Sequence, residues 1–150
     1  MKSNFRLVYC SRNRIAGTPD DVFSELQKIL VVSRAKNFKD QVTGALLYNN
    51  GNFAQVLEGP LPAVESIFEK IQRDPRHSEV VVVQTGSFQE RQFPEWSMAF
   101  AGTAGADRQP LAAAAFQAVS NNSLTAGTQI LELLRELVVQ EDDWILENAS

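Results

Sequence analysis

The chain has 150 residues, 44% of them hydrophobic and 21% charged, which suits one domain with a sizeable core and excludes a disordered chain. Its 14 Lys and Arg are scattered among 18 Asp and Glu, for a net charge of −4, so no basic stripe for nucleic acid is present. A single cysteine, Cys10, and a single histidine, His77, exclude an internal disulfide and a zinc site built from those residue types; with no run near ~18 apolar residues and no signal-peptide core, a cytoplasmic protein that does not enter the membrane is expected.

Asn4–Cys10 reads as a first strand, with Phe5, Leu7 and Tyr9 on one face and Arg6, Val8 and Cys10 on the other. Thr18 then supplies an N-cap, Pro19 a first helical residue, and Asp20 and Asp21 carboxylates at the positive end of the helix dipole. The helix is expected to reach about Lys36, with Val22, Leu26, Ile29, Leu30 and Ser33 recurring at helical spacing. Val42–Pro60 follows, two apolar runs around Asn49-Asn50-Gly51, which is a strong hairpin signal. Alternation in its second run places Phe53, Gln55, Leu57 and Gly59 on one face and Ala54, Val56 and Glu58 on the other. One carboxamide, Gln55, therefore sits among apolar neighbours and needs a partner. That partner is either a group within the protein or a bound ligand.

Val64, Ile67, Phe68 and Ile71 form the stripe of a second helix that Pro75 ends, and Glu79–Gly86, with its Val80–Val83 block, reads as a fully buried strand. Glu95–Phe100 reads as one more short strand after a polar turn. The order β-α-β-β-α-β-β matches the ferredoxin-like pattern, an α+β fold with an antiparallel sheet and both helices on one face. Composition shifts at Ala101, so we expect a domain over 1–101 and a separate helical region over 102–150. Its helices are Pro110–Val119 and Thr128–Val139, the latter extending as far as Leu146, and the second carries an apolar stripe of Ile130, Leu133, Leu134, Leu137 and Val138 that is expected to cover the open sheet face or meet another subunit.

Four side chains could converge: Tyr9 on the first strand, Asn37 just past the first helix, Gln55 in the hairpin, and Met98 on the last strand, with Trp96 two residues earlier on the same face. A phenol and two carboxamides can bind a flat heterocycle by its edge. Each also has a plain structural role, Tyr9 as a sheet residue, Asn37 as a left-handed helix terminus, Met98 as a gap-filler and Trp96 as a surface aromatic. Signs of catalysis are weaker. Gly44, Gly51 and Gly59 punctuate the hairpin and no GxxxxGKS/T or GxGxxG occurs, His77 reads as a surface or capping histidine, and Cys10 has no helix N-terminus or cation to lower its pKa. No metal site is expected.

Taken together, LVYCS at 7–11, KILVVSRAKN at 28–37, VTGALLYNNGNFAQVLEGP at 42–60, IQRDPRH at 71–77 and FPEWSM at 93–98 resemble the BLUF family of blue-light sensors that use flavin, over about two-thirds of the chain. The resemblance implies that Tyr9 is the photoactive tyrosine, which gives an electron and then a proton to the excited flavin. It implies that Gln55 is the glutamine between that tyrosine and the flavin, whose hydrogen bonds rearrange in light. By the same resemblance Asn37 bonds the flavin's carbonyl edge with Ser33 near it, Ile29 and Ile71 sandwich the ring, Lys70 and Arg76 meet the phosphate or ribityl part, and Trp96 and Met98 relay the change outward, Met98 also touching the cofactor. Lys36 departs from the Asn or His often found there.

The expected protein is thus a flavin photoreceptor rather than an enzyme, with FAD as cofactor and FMN or riboflavin as alternatives. Its partners would be a homo-oligomer mate and a downstream response protein. The runner-up is a ferredoxin-like interaction module without photochemistry. A small hydrolase is less favoured, because no nucleophile–base pair is visible.

Overall fold

A computed structural model of the chain describes residues 4–49, 51–94, 99–102 and 109–148. Trp96 and Met98 lie outside them. The elements run β1 (Asn4–Asn13), α1 (Pro19–Asp40), β2 (Thr43–Asn49), β3 (Asn52–Pro60), α2 (Leu61–Arg73), β4 (His77–Ser87), β5 (Ala99–Gly102), α3 (Gln109–Ser120) and α4 (Ala126–Asn148). They build one sheet in the order β4-β1-β3-β2-β5, with β5 joining β2 in parallel and every other pair antiparallel. The first six elements are the ferredoxin-like unit that the pattern predicts.

Alternation sets the two faces of this sheet. Leu7, Tyr9, Phe53 and Leu57 pack with Val22, Leu26 and Leu30 of α1 and Val64 of α2, while Val8, Cys10, Ala54 and Val56 pack with Ala112 and Ala115 of α3 and Ile130, Leu133 and Leu134 of α4. The C-terminal helices therefore cover the face opposite α1 and α2. A one-residue slip of β3 would exchange these two sets of neighbours, and the hairpin turn prevents it. Asn49 pairs with Asn52, so two residues connect the strands, and Gly51 takes φ +79°, where a side chain is disfavoured.

Helix α1 starts as predicted, with a capping box in which Asp21 N–H donates to Thr18 Oγ1 and Thr18 N–H donates to the Asp21 carboxylate. Those bonds hold the exposed Asp21 carboxyl below its usual range. Its end differs from expectation. The helix runs to Asp40, and Gln41 rather than Asn37 is the left-handed residue, at φ 62°. Polar composition after Lys36 was a poor stop signal, because Asn37 is 2% exposed and so gives the last turn a buried side chain to hold it.

Strand β4 corrects a second expectation. Among the described residues it lies at the sheet edge, bonded to β1 alone, and Val81 and Val82 are 42% and 43% exposed. A continuous valine run fits an edge strand as well as a buried one, since periodicity does not say how many neighbours a strand has. Among the described residues no helix is long and apolar enough to cross a membrane.

Candidate functional site

Between α1, α2 and the sheet lies a cavity of about 590 Å³. Its floor is β-sheet, with Tyr9 from β1, Leu46 from β2, and Phe53 and Gln55 from β3; Ile29, Ser33, Lys36 and Asn37 of α1 form one wall, and Ile67, Lys70 and Ile71 of α2 the other. Arg76 and His77 line it where α2 leads into β4. Every described residue to which a cofactor role is given by resemblance therefore lines this one cavity.

The floor carries a buried polar pair. Tyr9 and Gln55 are register partners on adjacent strands, and the Tyr9 hydroxyl donates to Gln55 Oε1. Because both point to the helix side, two strands suffice to align them. Tyr9 is fully buried, and loss of hydration, with smaller repulsion from Cys10 and Asp74, holds its phenol far above the usual range. At any physiological pH Tyr9 is therefore a neutral hydroxyl, and a donor. With Oε1 engaged by Tyr9, the donors of the Gln55 amide sit on Nε2.

His77 is not the surface residue that its position after Arg76 suggests. Its ring lies 4.7 Å from that of Phe53 and edge-on to Tyr9 at 6.3 Å, with Nδ1 2.8 Å from Ser11 Oγ. Burial lowers its pKa against the opposing pull of Asp74, so the imidazole is neutral near pH 7. Pairing of Asn13 with His77 across β1 and β4 brings it there, a long-range contact without a local sequence signal. Phe53, by contrast, shares the inward face with Gln55 and could be read from alternation.

Arg76 is also more constrained than a free anion ligand. Its guanidinium donates to both Asp74 oxygens at 2.6–3.0 Å and to Glu25 Oε1 at 3.2 Å, so it clasps α1 to the α2–β4 connection. The pair holds the Asp74 carboxyl low, chiefly through the Arg76 hydrogen bond, and the guanidinium high.

These residues suit a flavin. Ile29 and Ile71 line the cavity with aliphatic side chains, a phenol and two carboxamides offer donors and acceptors, and Lys28, Lys36 and Lys70 supply cations. The volume falls within the ~300–1,000 Å³ common for small-molecule sites.

The fold and cavity define a ferredoxin-like α+β domain with a cavity between its two helices and the sheet. The chain belongs to the BLUF family: the family described as sensors of blue-light using FAD matches residues 5–99. It is similar to the photoactivated adenylate cyclase subunit beta of Euglena longa, 43% identical over 75 residues, 49% of this chain and 9% of that protein. It resembles the blue light- and temperature-regulated antirepressor BluF of Escherichia coli (strain K12), 27% identical over 93% of this chain and 36% of that one. Among solved structures, the dark state of the BLUF protein BlrB superposes with a TM-score of 0.70 at 30% identity, covering 94% of this chain and 98% of that chain. The chain thus spans under a tenth of the cyclase it matches. The family's cofactor is a flavin and its function blue-light sensing.

Proposed function

We propose that this chain is a blue-light photoreceptor in which Tyr9 and Gln55 are the photoactive pair and FAD is the flavin. Ile29 and Ile71 hold the ring, Asn37 and Ser33 bind its polar edge, and Lys70 and Arg76 meet the phosphate-bearing tail. The lysines along the cavity favour a phosphorylated flavin over riboflavin, and the family's use of FAD favours that form over FMN. A bound flavin supplies absorption of blue light and an acceptor for one electron and one proton.

The chain's own residues set the rest. Tyr9 Oη keeps its proton in the dark and aims it at Gln55 Oε1. Gln55 is the adjustable element, because a carboxamide has an acceptor and a donor end, and exchanging them reverses the sense of the bond to Tyr9. Around it stand Leu46 and Phe53 of the sheet and Ile29, Ile67 and Ile71 of the two helices. No substrate turns over. Strand β3 carries Gln55 on one face and packs Ala54 and Val56 against α3 and α4 on the other, so a rearranged amide biases the packing of these helices. Trp96 and Met98 take part in the relay. A homo-oligomer mate and a downstream response protein in the cytoplasm read the change.

The observation that carries this reading is the Tyr9–Gln55 bond on the floor of the cavity. Its test is Gln55→Leu, which removes the amide and keeps an apolar side chain of similar reach. The variant is expected to bind flavin and lose the reversible red shift of the flavin band. A red shift of normal size would remove Gln55 from the mechanism.

A further inference from the structure

Glu58 lies three residues beyond Gln55 on β3 and, although charged, is fully buried. Burying a carboxylate is costly unless each oxygen is paired. Its oxygens accept from Gln92 N–H at 2.9 and 3.0 Å and from Phe93 N–H at 2.8 Å, and they meet the Arg6 guanidinium at 2.7–2.8 Å. Two of these partners are backbone groups in a stretch without helix or strand. Arg91 fastens the same stretch from its other side, donating to the carbonyl of Glu58, to Thr43 Oγ1 and to the carbonyl of Gln41, each within 2.9 Å. Gln41 is the left-handed cap of α1, and the next residue's N–H holds the carbonyl of Asn37.

This turn thus touches both carboxamides of the cavity at one remove: β3 with Gln55, and the end of α1 with Asn37. It also ends in the opposite core. Phe93 is 1% exposed and packs in the cluster that contains Ala112, Ala115, Ile130 and Leu134 of the C-terminal helices. We infer that Glu58 is a positioning residue that couples the cavity to the helical cap, by clamping residues 91–93 so that displacement of β3 moves Phe93 within the cap core. This rests on the proposed function, since it names how that site's signal leaves. A carboxylate suits the task because it offers only acceptors. Glutamine at this position would set an NH₂ against either Arg6 or the backbone N–H groups.

The test follows amide hydrogen exchange of α3 and α4 in the flavin-loaded chain, in darkness and under continuous blue light, with the flavin band as internal reference. The wild type is expected to show a red shift together with a light–dark difference in the cap. Glu58→Gln, and Arg91→Met as a variant that leaves no buried carboxylate unpaired, are expected to keep the red shift and reduce that difference about fivefold or more. A merely structural clamp would raise exchange equally in both conditions and leave the difference intact, and that result in either folded variant overturns the inference. So does a wild type that red-shifts without any change in the cap. A wild type that fails to red-shift refutes the photoreceptor reading itself, which separates the two failures.

Discussion

Replacing Tyr9 by Phe removes one oxygen from the floor of the cavity and nothing else. Tyr9 is fully buried and Gln55 is 6% exposed, so water cannot readily replace the lost donor at Gln55 Oε1. A neutral hydrogen bond is worth about 0.5–1.5 kcal/mol net, and a buried acceptor left without its donor raises the loss to about 1–3 kcal/mol. For a domain of this size roughly 1 kcal/mol lowers Tm by about 2–4 °C, so a drop on the order of 5 °C is expected. Thermal unfolding of the flavin-loaded wild type and variant, scanned identically, measures it. Illumination of the same samples should show flavin bound in both and the reversible red shift in the wild type alone. A Tm within about 1 °C of wild type would show that the hydroxyl makes no buried bond of consequence, and a normal photocycle would remove Tyr9 from the chemistry.

Other consequences concern the frame and the titratable groups. A Cβ on Gly44 would sit 1.9 Å from the carbonyl oxygen of Val56, so Gly44→Ala must part β2 from β3 and should cost more than ~3 kcal/mol, visible as loss of folded chain in urea titration; wild-type stability would contradict the register. His77 has a folded pKa below its unfolded value of about 6.5, so the unfolded chain binds the proton more readily, and the stability from neutral His77 is complete above that pH and is lost as pH falls through the lowered folded value. The Tm difference between wild type and His77→Gln should therefore shrink from pH 8 to pH 5, and a difference independent of pH would refute the assignment. Burial pushes the Cys10 thiol up to about 12, so its thiolate fraction at pH 8 is roughly three orders of magnitude below that of an ordinary thiol. Alkylation of the native chain should be slower than in urea by about a hundredfold or more, and equal rates would show that the thiol is exposed.

Much of this arrangement was legible in one dimension, because strand alternation is a local rule. The inward set Phe53, Gln55 and Leu57, the outward set Ala54, Val56 and Glu58, and the Thr18 cap all follow from neighbours a few residues apart. What escaped depends on contacts between distant segments. The exposure of Val81 and Val82 needed knowledge that, among the described residues, β4 has β1 as its single neighbour. His77 reaches the cavity only through the β1–β4 register, and Asn37 reads as a helix end until the chain is seen to continue to Asp40. Alternation assigned Glu58 a face but could not show that residues 92 and 93 return to satisfy it.

The resemblance supplied what spacing could not. On residue types alone a partner within the protein is the better reading for Gln55, and the fold shows one, Tyr9, at the floor of a cavity whose residues suit a flavin. Both descriptions hold together, since a photoactive amide needs a protein partner on one side and a cofactor on the other. The opposite sheet face repeats the logic at larger scale, because Ile130, Leu133, Leu134 and Leu137 of α4 are covered by Val8, Ala54 and Val56. One strand thus belongs to two cores.

The central claim is that light changes the hydrogen bonding of a Tyr9–Gln55 pair beside a flavin. The most direct measurement is the absorption spectrum of the purified chain before, during and after blue light. The account predicts bound flavin whose band moves to longer wavelength under illumination and returns in darkness. A chain that carries no flavin, or one whose flavin band bleaches without a reversible red shift, would contradict it.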